Sequence, residues 1–462
     1  MPKTIRTDKW SLRSTDAQRV MVRDTLALYR AYVRALVGVI WVHEREINQA
    51  QSACFAVERL IHATKKNPAP RYRYFGQKFK KFPSYLRRVA IEAALGQVSS
   101  FSSRYRKWVS GMRGKRTAKP PRRTAENLMN PSLYRGQCVK FNDDHTVASI
   151  KLWSGSDWIW SDFPITARGK RHAVSRNKAL SPALMANGRR VQLAVPFEGA
   201  VELPAKKQVT RVCGVDLGIN TTAVASIVTE AGTVVSRQFF HRGADIDRRD
   251  KGLRQISKKA SLTMGRSGRL CEGFCAPIYA KAHRRNRDMI NRLSGEILAF
   301  AQAHGASAIV LEHMKGFRPR GGRRHSTLRQ RFHGWLHRKL SQKLAERATE
   351  AGMLTAHVTA AGTSKYAFDG SGIIRRDENN RALATFQNGK RYNADLSASY
   401  NIAARFFAKV LGLNGRRASA SASGKSSRAE PRIPVTLSTL WLHAQARLGG
   451  DSEAATTSPQ GV

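Results

Sequence analysis

Three strand-like runs between residues 209 and 240 constrain the fold of this chain more than any other feature. Residues 209–216, 222–228 and 234–240 are rich in β-branched side chains, and the short turns between them contain glycine. This spacing predicts a β-meander. Further along, residues 308–311 and 355–358 are strand-like and alternate with helical periodicity. The pattern as a whole predicts an α/β domain with a mixed sheet flanked by helices.

Three acids occupy distinctive places in that pattern. Asp216 ends the first strand-like run, Glu312 follows the apolar run 309–311, and Asp395 begins a helix expected to extend to about residue 410. Carboxylates that cluster repel one another unless a cation joins them. Magnesium prefers such oxygen ligands, and two ions can promote phosphodiester hydrolysis. The alternative for each acid taken alone is a turn cap or an ion pair.

The net charge limits the kinds of partner that this chain is expected to bind. The 462 residues contain 81 Lys plus Arg and 32 Asp plus Glu, a formal net charge of +49. Such an excess calls for a polyanion, so nucleic acid is the expected partner and an enzyme for small neutral substrates is disfavoured. No apolar run looks long enough to cross a membrane, and no secretory segment opens the chain. Five cysteines fit a reducing cytosol, which predicts a cytoplasmic protein.

The first half of the chain combines helices, short strands and a basic block. A capping box at Thr15 and Gln18 predicts the start of a helix. Residues 65–140 contain 20 Lys or Arg and two acids, with aromatic residues interleaved, a composition suited to nucleic acid. For any single aromatic residue, a place in the core is the simpler interpretation. Short runs at 138–141, 146–153, 158–163 and 191–195 predict a β module that the first strand, 3–12, could complete.

Four segments together resemble a known family. Residues 214–220, 309–312 and 395–403 are similar to the three RuvC motifs of TnpB proteins and compact type V CRISPR effectors, and Thr363-Ser364-Lys365 matches another family landmark. The resemblance is specific over about residues 209–410 and only architectural before that. It implies a RuvC-type, RNase H-like nuclease domain in which Asp216, Glu312 and Asp395 bind two magnesium ions and cut DNA.

The resemblance also implies a domain order, whereas the nucleic-acid contacts are predicted from the clustering of basic residues, with a solvated surface loop as the alternative for those near Glu312 and Asp395. Residues 1–13 would be the first strand of a wedge-type β module, 14–134 a helical recognition insert, 135–205 the rest of the wedge module, 206–410 the nuclease domain and 411–462 a flexible tail. The basic residues expected to contact nucleic acid are Arg71, Arg73, Lys78, Lys80, Lys81, Arg87, Arg88, Arg104, Arg106, Lys107, Arg284, Arg285, Arg320, Arg323, Arg324, Lys390 and Arg391.

One departure concerns zinc. Most of the family places a four-cysteine zinc module between the second and third motifs, whereas here no cysteine follows Cys275. The positions where ligands are expected carry other residues: Ala367, Gly370, Ala384 and Ala394. We therefore expect no zinc, and the role of the loop near 360–394 stays open. Cys271 and Cys275, even with His283, form a single pair without a second one, which does not predict a zinc site.

These features predict an RNA-guided DNA endonuclease. Its partners would be a guide RNA, double-stranded target DNA and the displaced single strand, with magnesium as the cofactor. His313 is expected to be structural, because two-metal hydrolysis needs no histidine base. Two alternatives stay open: an RNA-guided DNA-binding protein that does not cut, and a guide-free RuvC-type nuclease or transposase-associated protein.

Overall fold

The computed structural model describes residues 3–112, 130–166, 170–173, 177–218, 221–264, 270–271, 273–314, 336–413 and 435–454. The chain divides into two compact units, Lys3–Ala200 and Val201–Val462, with Met1–Pro2 grouped with the second. Each unit has its own hydrophobic core. Both mix helices with sheets, which confirms the predicted α/β class.

The first unit contains two sheets and five helices within its described residues. Its strands are β1 Lys3–Leu12, β2 Val139–Phe141, β3 Val147–Trp153, β4 Trp158–Pro164, β5 Lys178–Ala179, β6 Ala183–Asn187 and β7 Arg190–Ala200. Its helices are α1 Asp16–Val42, α2 Glu44–Gln49, α3 Ala53–Ile61, α4 Tyr74–Lys78 and α5 Ser84–Val109. Strand β1 pairs antiparallel with β7 along its whole length, β5 and β6 also pair with β7, and β2–β3–β4 form a separate antiparallel sheet.

Helix α1 corrects one expectation. Its start has the predicted capping box, in which Thr15 and Gln18 exchange side-chain and backbone hydrogen bonds. However, the helix is long and apolar enough to cross a membrane, contrary to the sequence analysis, which underestimated the segment because arginines interrupt it. Half of its most apolar window is buried in the unit, and Thr25 accepts a hydrogen bond from the Trp153 backbone at 2.8 Å. Helix α1 is therefore a core helix of this unit.

The aromatic residues of the basic block divide between core and surface. Phe75, Phe79 and Phe82 are buried around Tyr32 of α1, whose ring stacks on Phe82 at 4.3 Å between centroids. Tyr105 is 40% exposed. Residues 113–129 of this block lie outside the described residues. Composition alone could not separate the two groups, because helix packing decides which rings are buried.

The second unit is built around a five-stranded mixed sheet. Its strands are β8 Arg211–Asp216, β9 Ala223–Thr229, β10 Val234–Phe240, β11 Ala308–His313 and β12 Leu354–Thr359, in the spatial order β10–β9–β8–β11–β12. The first three strands form the predicted antiparallel meander. Strand β11 runs parallel to both β8 and β12. The predicted mixed sheet is confirmed.

Helices cover both faces of this sheet. They are α7 Ala276–Ala303, α8 His337–Glu350, α9 Ala394–Val410 and α10 Leu437–Ala454, while α6 Gly243–Met264 packs against α7. Alternate residues of β8 face opposite layers: Cys213 and Val215 pack with α7 and α8, whereas Val212 packs with α9 and α10. This alternation follows from the two-residue period of a strand. A small sheet of β13 Arg375–Arg376, β14 Leu383–Thr385 and β15 Arg391–Asn393 precedes α9.

Candidate catalytic site

Two neighbouring strands bring Asp216 and Glu312 to the same edge of the central sheet. Strands β8 and β11 are parallel, and Leu311 is paired with Val215 in their register. Asp216 follows Val215 on β8, and Glu312 follows Leu311 on β11. Because the carboxyl ends of parallel strands lie side by side, the two acids become neighbours although they are distant in sequence.

Asp395 reaches the same edge from the first turn of helix α9. The side chain of Asn393 caps this helix by accepting hydrogen bonds from the backbone of Asp395 at 3.0 Å and of Leu396 at 2.9 Å. The helix lies against β8 so closely that a Cβ on Gly214 would come within 2.4 Å of the Ser399 carbonyl oxygen. Glycine at 214 is therefore what allows the strand and the helix to approach.

The negative charges of Glu312 and Asp395 act on Asp216. Burial raises the pKa of Asp216 well above its ordinary value, and the negative charges of Glu312 and Asp395 raise it further. Burial also raises the pKa values of Glu312 and Asp395. We call Asp216, Glu312 and Asp395 the carboxylate cluster. Such mutual destabilisation of negative charge is typical of functional sites and favours the entry of a cation.

Glu312 receives a hydrogen bond from one neighbouring segment and the influence of a positive charge from another. Its side chain is 8% exposed, and its carboxylate accepts a hydrogen bond from the hydroxyl of Thr363, which also contacts the carbonyl oxygen of Ala360 at 2.9 Å. The positive charge of Arg405 also lowers the pKa of Glu312, against the larger effect of burial. Arg405 is anchored by donating to the carbonyl oxygens of Thr359 and Ala361.

Arg376 supplies positive charge to the cluster from the small sheet. Its guanidinium contacts Asp395 at 3.5 Å and donates to the Arg381 carbonyl oxygen at 2.8 Å. This charge lowers the pKa values of Asp216 and Asp395, which partly offsets the effect of burial. Arg376 therefore offsets part of the negative charge of the carboxylate cluster.

The donor set suits a hard cation. Three carboxylates on one edge offer the oxygen ligands that magnesium prefers. Among the described residues, no group of three or more His, Cys, Asp or Glu side chains stands in an arrangement that could already hold a metal ion. The contacts of Arg376 with Asp395 and of Thr363 with Glu312 engage two of the three acids. The chemistry of the site fits magnesium, with these two contacts competing for the same oxygens.

The segment that leads from β12 to helix α9 has an apolar core. Ala367, Ile374, Ala384, Phe386 and Ala394 are buried together, and Phe368 and Tyr392 pack against them. Three of these are alanines that stand where the family's zinc ligands are expected. None of these side chains can bind zinc, so the residues present do not fit a zinc site here. Elsewhere, Cys271 is exposed and Cys275 half-buried, and neither forms a disulfide.

Most of the predicted nucleic-acid contacts are on the surface. The exposed ones are Arg71, Arg73, Lys78, Lys80, Lys81, Arg106, Lys107, Arg284, Lys390 and Arg391, whereas Arg87, Arg88, Arg104 and Arg285 are partly buried. Arg320, Arg323 and Arg324 lie outside the described residues. Lys390 extends over the rings of Phe368 and Tyr392, at 4.9 and 5.4 Å from their centroids. The structure does not gather the described ones into the carboxylate cluster.

Arg87 and Arg88 are already engaged by an acid. Arg87 donates to Glu58 at 3.1 Å with its side chain only 11% exposed, and Arg88 lies 3.6 Å from the same carboxylate. A neutralised and mostly buried guanidinium is poorly placed for a phosphate. Of the two, Arg88 keeps the more accessible side chain, at 43%.

Sequence reasoning missed three groups around the cluster. Thr363 was singled out only as part of a family landmark, without a role at Glu312. Arg376 and Arg405 carried no signal, because they are two among 81 basic residues and their place depends on tertiary packing. The position of Arg376, between the second and third motifs, was the one hint available.

One protein family and several solved structures are similar to parts of this chain. The Aq_aa04 family matches residues 6–154, about a third of the chain, and none of the curated proteins matches it. Among solved structures, the Cas12f1–sgRNA–target DNA complex is 12% identical, with a TM-score of 0.32, over 87% of this chain and 99% of that one.

Two further solved structures are similar to a comparable degree. The AacC2c1 complex with sgRNA and extended non-target DNA is 11% identical, with a TM-score of 0.48, over 77% of this chain and 62% of that one. The mini-RNA-guided endonuclease CRISPR-Cas_phi3 is 12% identical, with a TM-score of 0.46, over 90% and 93%. At these values the likenesses do not establish a family, so the geometry of the carboxylate cluster has to carry the functional argument.

Proposed function

We propose that this chain is an RNA-guided DNA endonuclease. A guide RNA pairs with target DNA beside a short flanking motif, and the carboxylate cluster hydrolyses DNA phosphodiesters. The observation that carries the proposal is the convergence of Asp216, Glu312 and Asp395 on one edge of a mixed sheet, with raised pKa values. The motif resemblance to RuvC-type nucleases and the net charge of +49 support it.

Magnesium would be held by the three carboxylates of the cluster. When bound, two such ions activate a water molecule and stabilise the leaving oxygen of the phosphodiester. The chain itself supplies orientation: Thr363 holds Glu312 by a hydrogen bond and Arg405 adds a positive charge near it, while the Asn393 cap fixes the first turn that carries Asp395. Arg376 is placed to exchange its contact with Asp395 for one with a phosphate. A single cluster would cut the displaced and target strands one after the other.

The segment 360–394 would serve this site without zinc. Its apolar core holds the small sheet, and the small sheet in turn carries Arg376 to Asp395. Exposed cations such as Lys390 and Arg391 lie on the strand or turn that leads to the cluster. We propose that they contact the phosphate backbone, which positions a strand without reading its sequence.

A second candidate function is RNA-guided DNA binding without cutting. The contact between Arg376 and Asp395 favours it, because a permanent ion pair there would keep a cation out. The same reading predicts that an Asp216→Asn variant behaves like the parent in every DNA assay.

The test compares the parent protein with Asp216→Asn, each purified with its copurifying RNA. Sequencing that RNA identifies the guide, and a matched DNA duplex is then offered with magnesium after binding is shown. We expect the parent to cut and Asp216→Asn to bind without cutting. Asp288→Asn is the matched control, because Asp288 is an exposed surface acid of α7 and should leave cutting unchanged.

The outcomes separate the proposals. A parent complex that binds its target but never nicks it would exclude the endonuclease and leave the binding protein. Absence of any defined RNA, with cutting retained, would point to a guide-free nuclease.

A further inference from the structure

An exposed tryptophan with two lysines marks the small antiparallel sheet of the first unit. Trp160 lies on β4, is 39% exposed, and is paired with Lys151 of β3 in the sheet register. Directly paired residues project from the same face of a sheet. Within the described part of the first unit, more than a third of this residue is therefore open to solvent.

The two lysines lie against the indole itself. The ammonium of Lys140, from β2, is 4.8 Å from the ring centroid of Trp160, and that of Lys151 is 5.7 Å away. Both are within the range of a cation–π interaction, so they fix the ring while keeping their charge at the surface. All three strands of the sheet therefore contribute to one feature.

The positive charge at this surface is local to the two lysines. Asp162 is the only acid in β2, β3 and β4, and its carboxylate accepts a hydrogen bond from the hydroxyl of Ser149. Asp157, in the turn before β4, is paired with Lys81 at 3.1 Å. Asp143 and Asp144 are exposed in the turn between β2 and β3, so the positive charge that complements a phosphate chain is confined to the two lysines at the indole.

We propose that Trp160, Lys140 and Lys151 form a stacking site for an unpaired nucleotide of RNA. A base stacks on the indole by displacing the ammonium groups from the ring, and the displaced ammonium groups then meet the adjacent phosphates, the combination by which single-stranded nucleic acids are held without sequence preference. We call these three residues the Trp160 site. None of the basic positions assigned from the sequence belongs to it.

The assignment to RNA rests on the proposed function. The Trp160 site belongs to the unit Lys3–Ala200, which contains none of the three acids of the carboxylate cluster. A strand that stays bound suits a unit without hydrolytic groups, and in the proposed function that strand is the guide. DNA binding at the same place is an outcome that the experiment distinguishes.

The experiment measures the binding of labelled polyuridylate to full-length protein freed of copurifying RNA. An Asp216→Asn background without magnesium prevents cutting. We expect Trp160→Ala to weaken binding about tenfold, the typical effect of losing one stacked base, and Trp160→Phe to retain most of the affinity. Trp441→Ala is the matched control, since Trp441 is also an exposed indole, at 53%, but belongs to the other unit.

Salt dependence separates stacking from charge. Trp160→Ala should lower the affinity by the same factor at every salt concentration. Lys140→Gln and Lys151→Gln should each reduce the slope of log affinity against log salt by about 0.7, the value for one contact with a single strand. A loss that vanishes in high salt for Trp160→Ala would overturn the stacking role.

Two results would overturn the site. One is an unchanged affinity of Trp160→Ala for polyuridylate, with the melting temperature equal to that of the parent. The other is a loss confined to polythymidylate of equal length, which would assign the site to DNA. Neither depends on cutting, so failure of the Trp160 site and failure of the endonuclease proposal are independent results.

Discussion

Two buried acidic sites of this chain, one in each unit, have opposite surroundings. In the first unit, Glu58 is only 14% exposed and lies between the guanidinium groups of Arg87 and Arg88. In the second, Asp216 faces Glu312 and Asp395, with Arg376 as partial compensation. The first arrangement neutralises a charge and serves the fold. The second accumulates charge of one sign and makes the fold less stable, which is expected of a site that awaits a cation.

Neutralising Glu58 and neutralising Asp216 should therefore change the stability of the protein in opposite directions. Removing the charge of Glu58 leaves a mostly buried arginine without its partner. Removing the charge of Asp216 relieves a repulsion. Stability measurements on the metal-free protein therefore test whether the carboxylate cluster is a site or a second structural ion-pair network.

The largest expected effect is that of Glu58→Gln. It should lower the free energy of unfolding by about 3 kcal/mol, because breaking a buried pair strands the remaining charge. Chemical denaturation of the full chain measures it, with Asp24→Asn, at an exposed acid of α1, as the control, expected within about 0.5 kcal/mol of the parent. If Glu58→Gln were as stable as the parent, Glu58 would not be the structural acid of the comparison.

Next comes Gly214→Ala. The added methyl group would meet the backbone of Ser399 and the side chain of Ala403, so β8 and α9 must separate. We expect a loss of about 2 kcal/mol together with reduced magnesium-dependent cutting. Gly252→Ala is the control, since its nearest neighbour, Ile278, is 3.9 Å away and alanine favours a helix. A stable Gly214→Ala variant with full activity would show that the close approach does not position the cluster.

The strands and helices of the second unit were within reach of sequence reasoning because their signals are local. The run that ends at Asp216 and the helix that follows Asn393 are set by β-branched residues and by a side-chain cap, respectively. The meander was predicted to within two residues. The convergence of the acids was inferred from strand order and motif resemblance, and the structure brings them together.

What could not be predicted is tertiary. Neither the pairing of Arg87 with Glu58 nor the place of Arg376 beside Asp395 follows from composition, because a basic residue looks the same in the sequence whether it meets an acid or a phosphate. The burial of Phe75, Phe79 and Phe82 depends likewise on helices far apart along the chain. Arginines interrupt the apolar sequence of α1. The sequence alone therefore did not reveal that this helix is long and apolar enough to cross a membrane.

A smaller effect, of opposite sign, is expected for Asp216→Asn without metal. It should raise the melting temperature by about 2–4 °C, which corresponds to about 1 kcal/mol for a domain of this size. The pKa of Asp216 is raised in the folded state, so its contribution to stability is present when it is protonated and is lost as the pH rises through that raised value. The free energy of unfolding of the parent should therefore fall as the pH rises through the raised pKa of Asp216. That of Asp216→Asn should fall less over the same range.

Scanning calorimetry of both proteins from acidic to neutral pH provides the measurement. A variant less stable than the parent at neutral pH would mean that Asp216 is stabilised by partners rather than repelled by Glu312 and Asp395. That result would remove the difference between the two units. Added magnesium should narrow the gap, because a bound cation relieves the same repulsion in the parent.

The smallest expected effect is that of a zinc-selective chelator, which should leave the melting temperature and magnesium-dependent cutting unchanged. The segment that carries Arg376 is held by the apolar core of Ala367, Ala384 and Phe386, and such a core needs no metal. Phe386→Leu is the positive control, expected to cost about 1 kcal/mol by altering the same core. A melting temperature that falls on chelation, together with stoichiometric zinc in the purified protein, would show that another part of the chain supplies the ligands. The contact between Arg376 and Asp395 would then depend on a bound metal rather than on the apolar core that the alanines form.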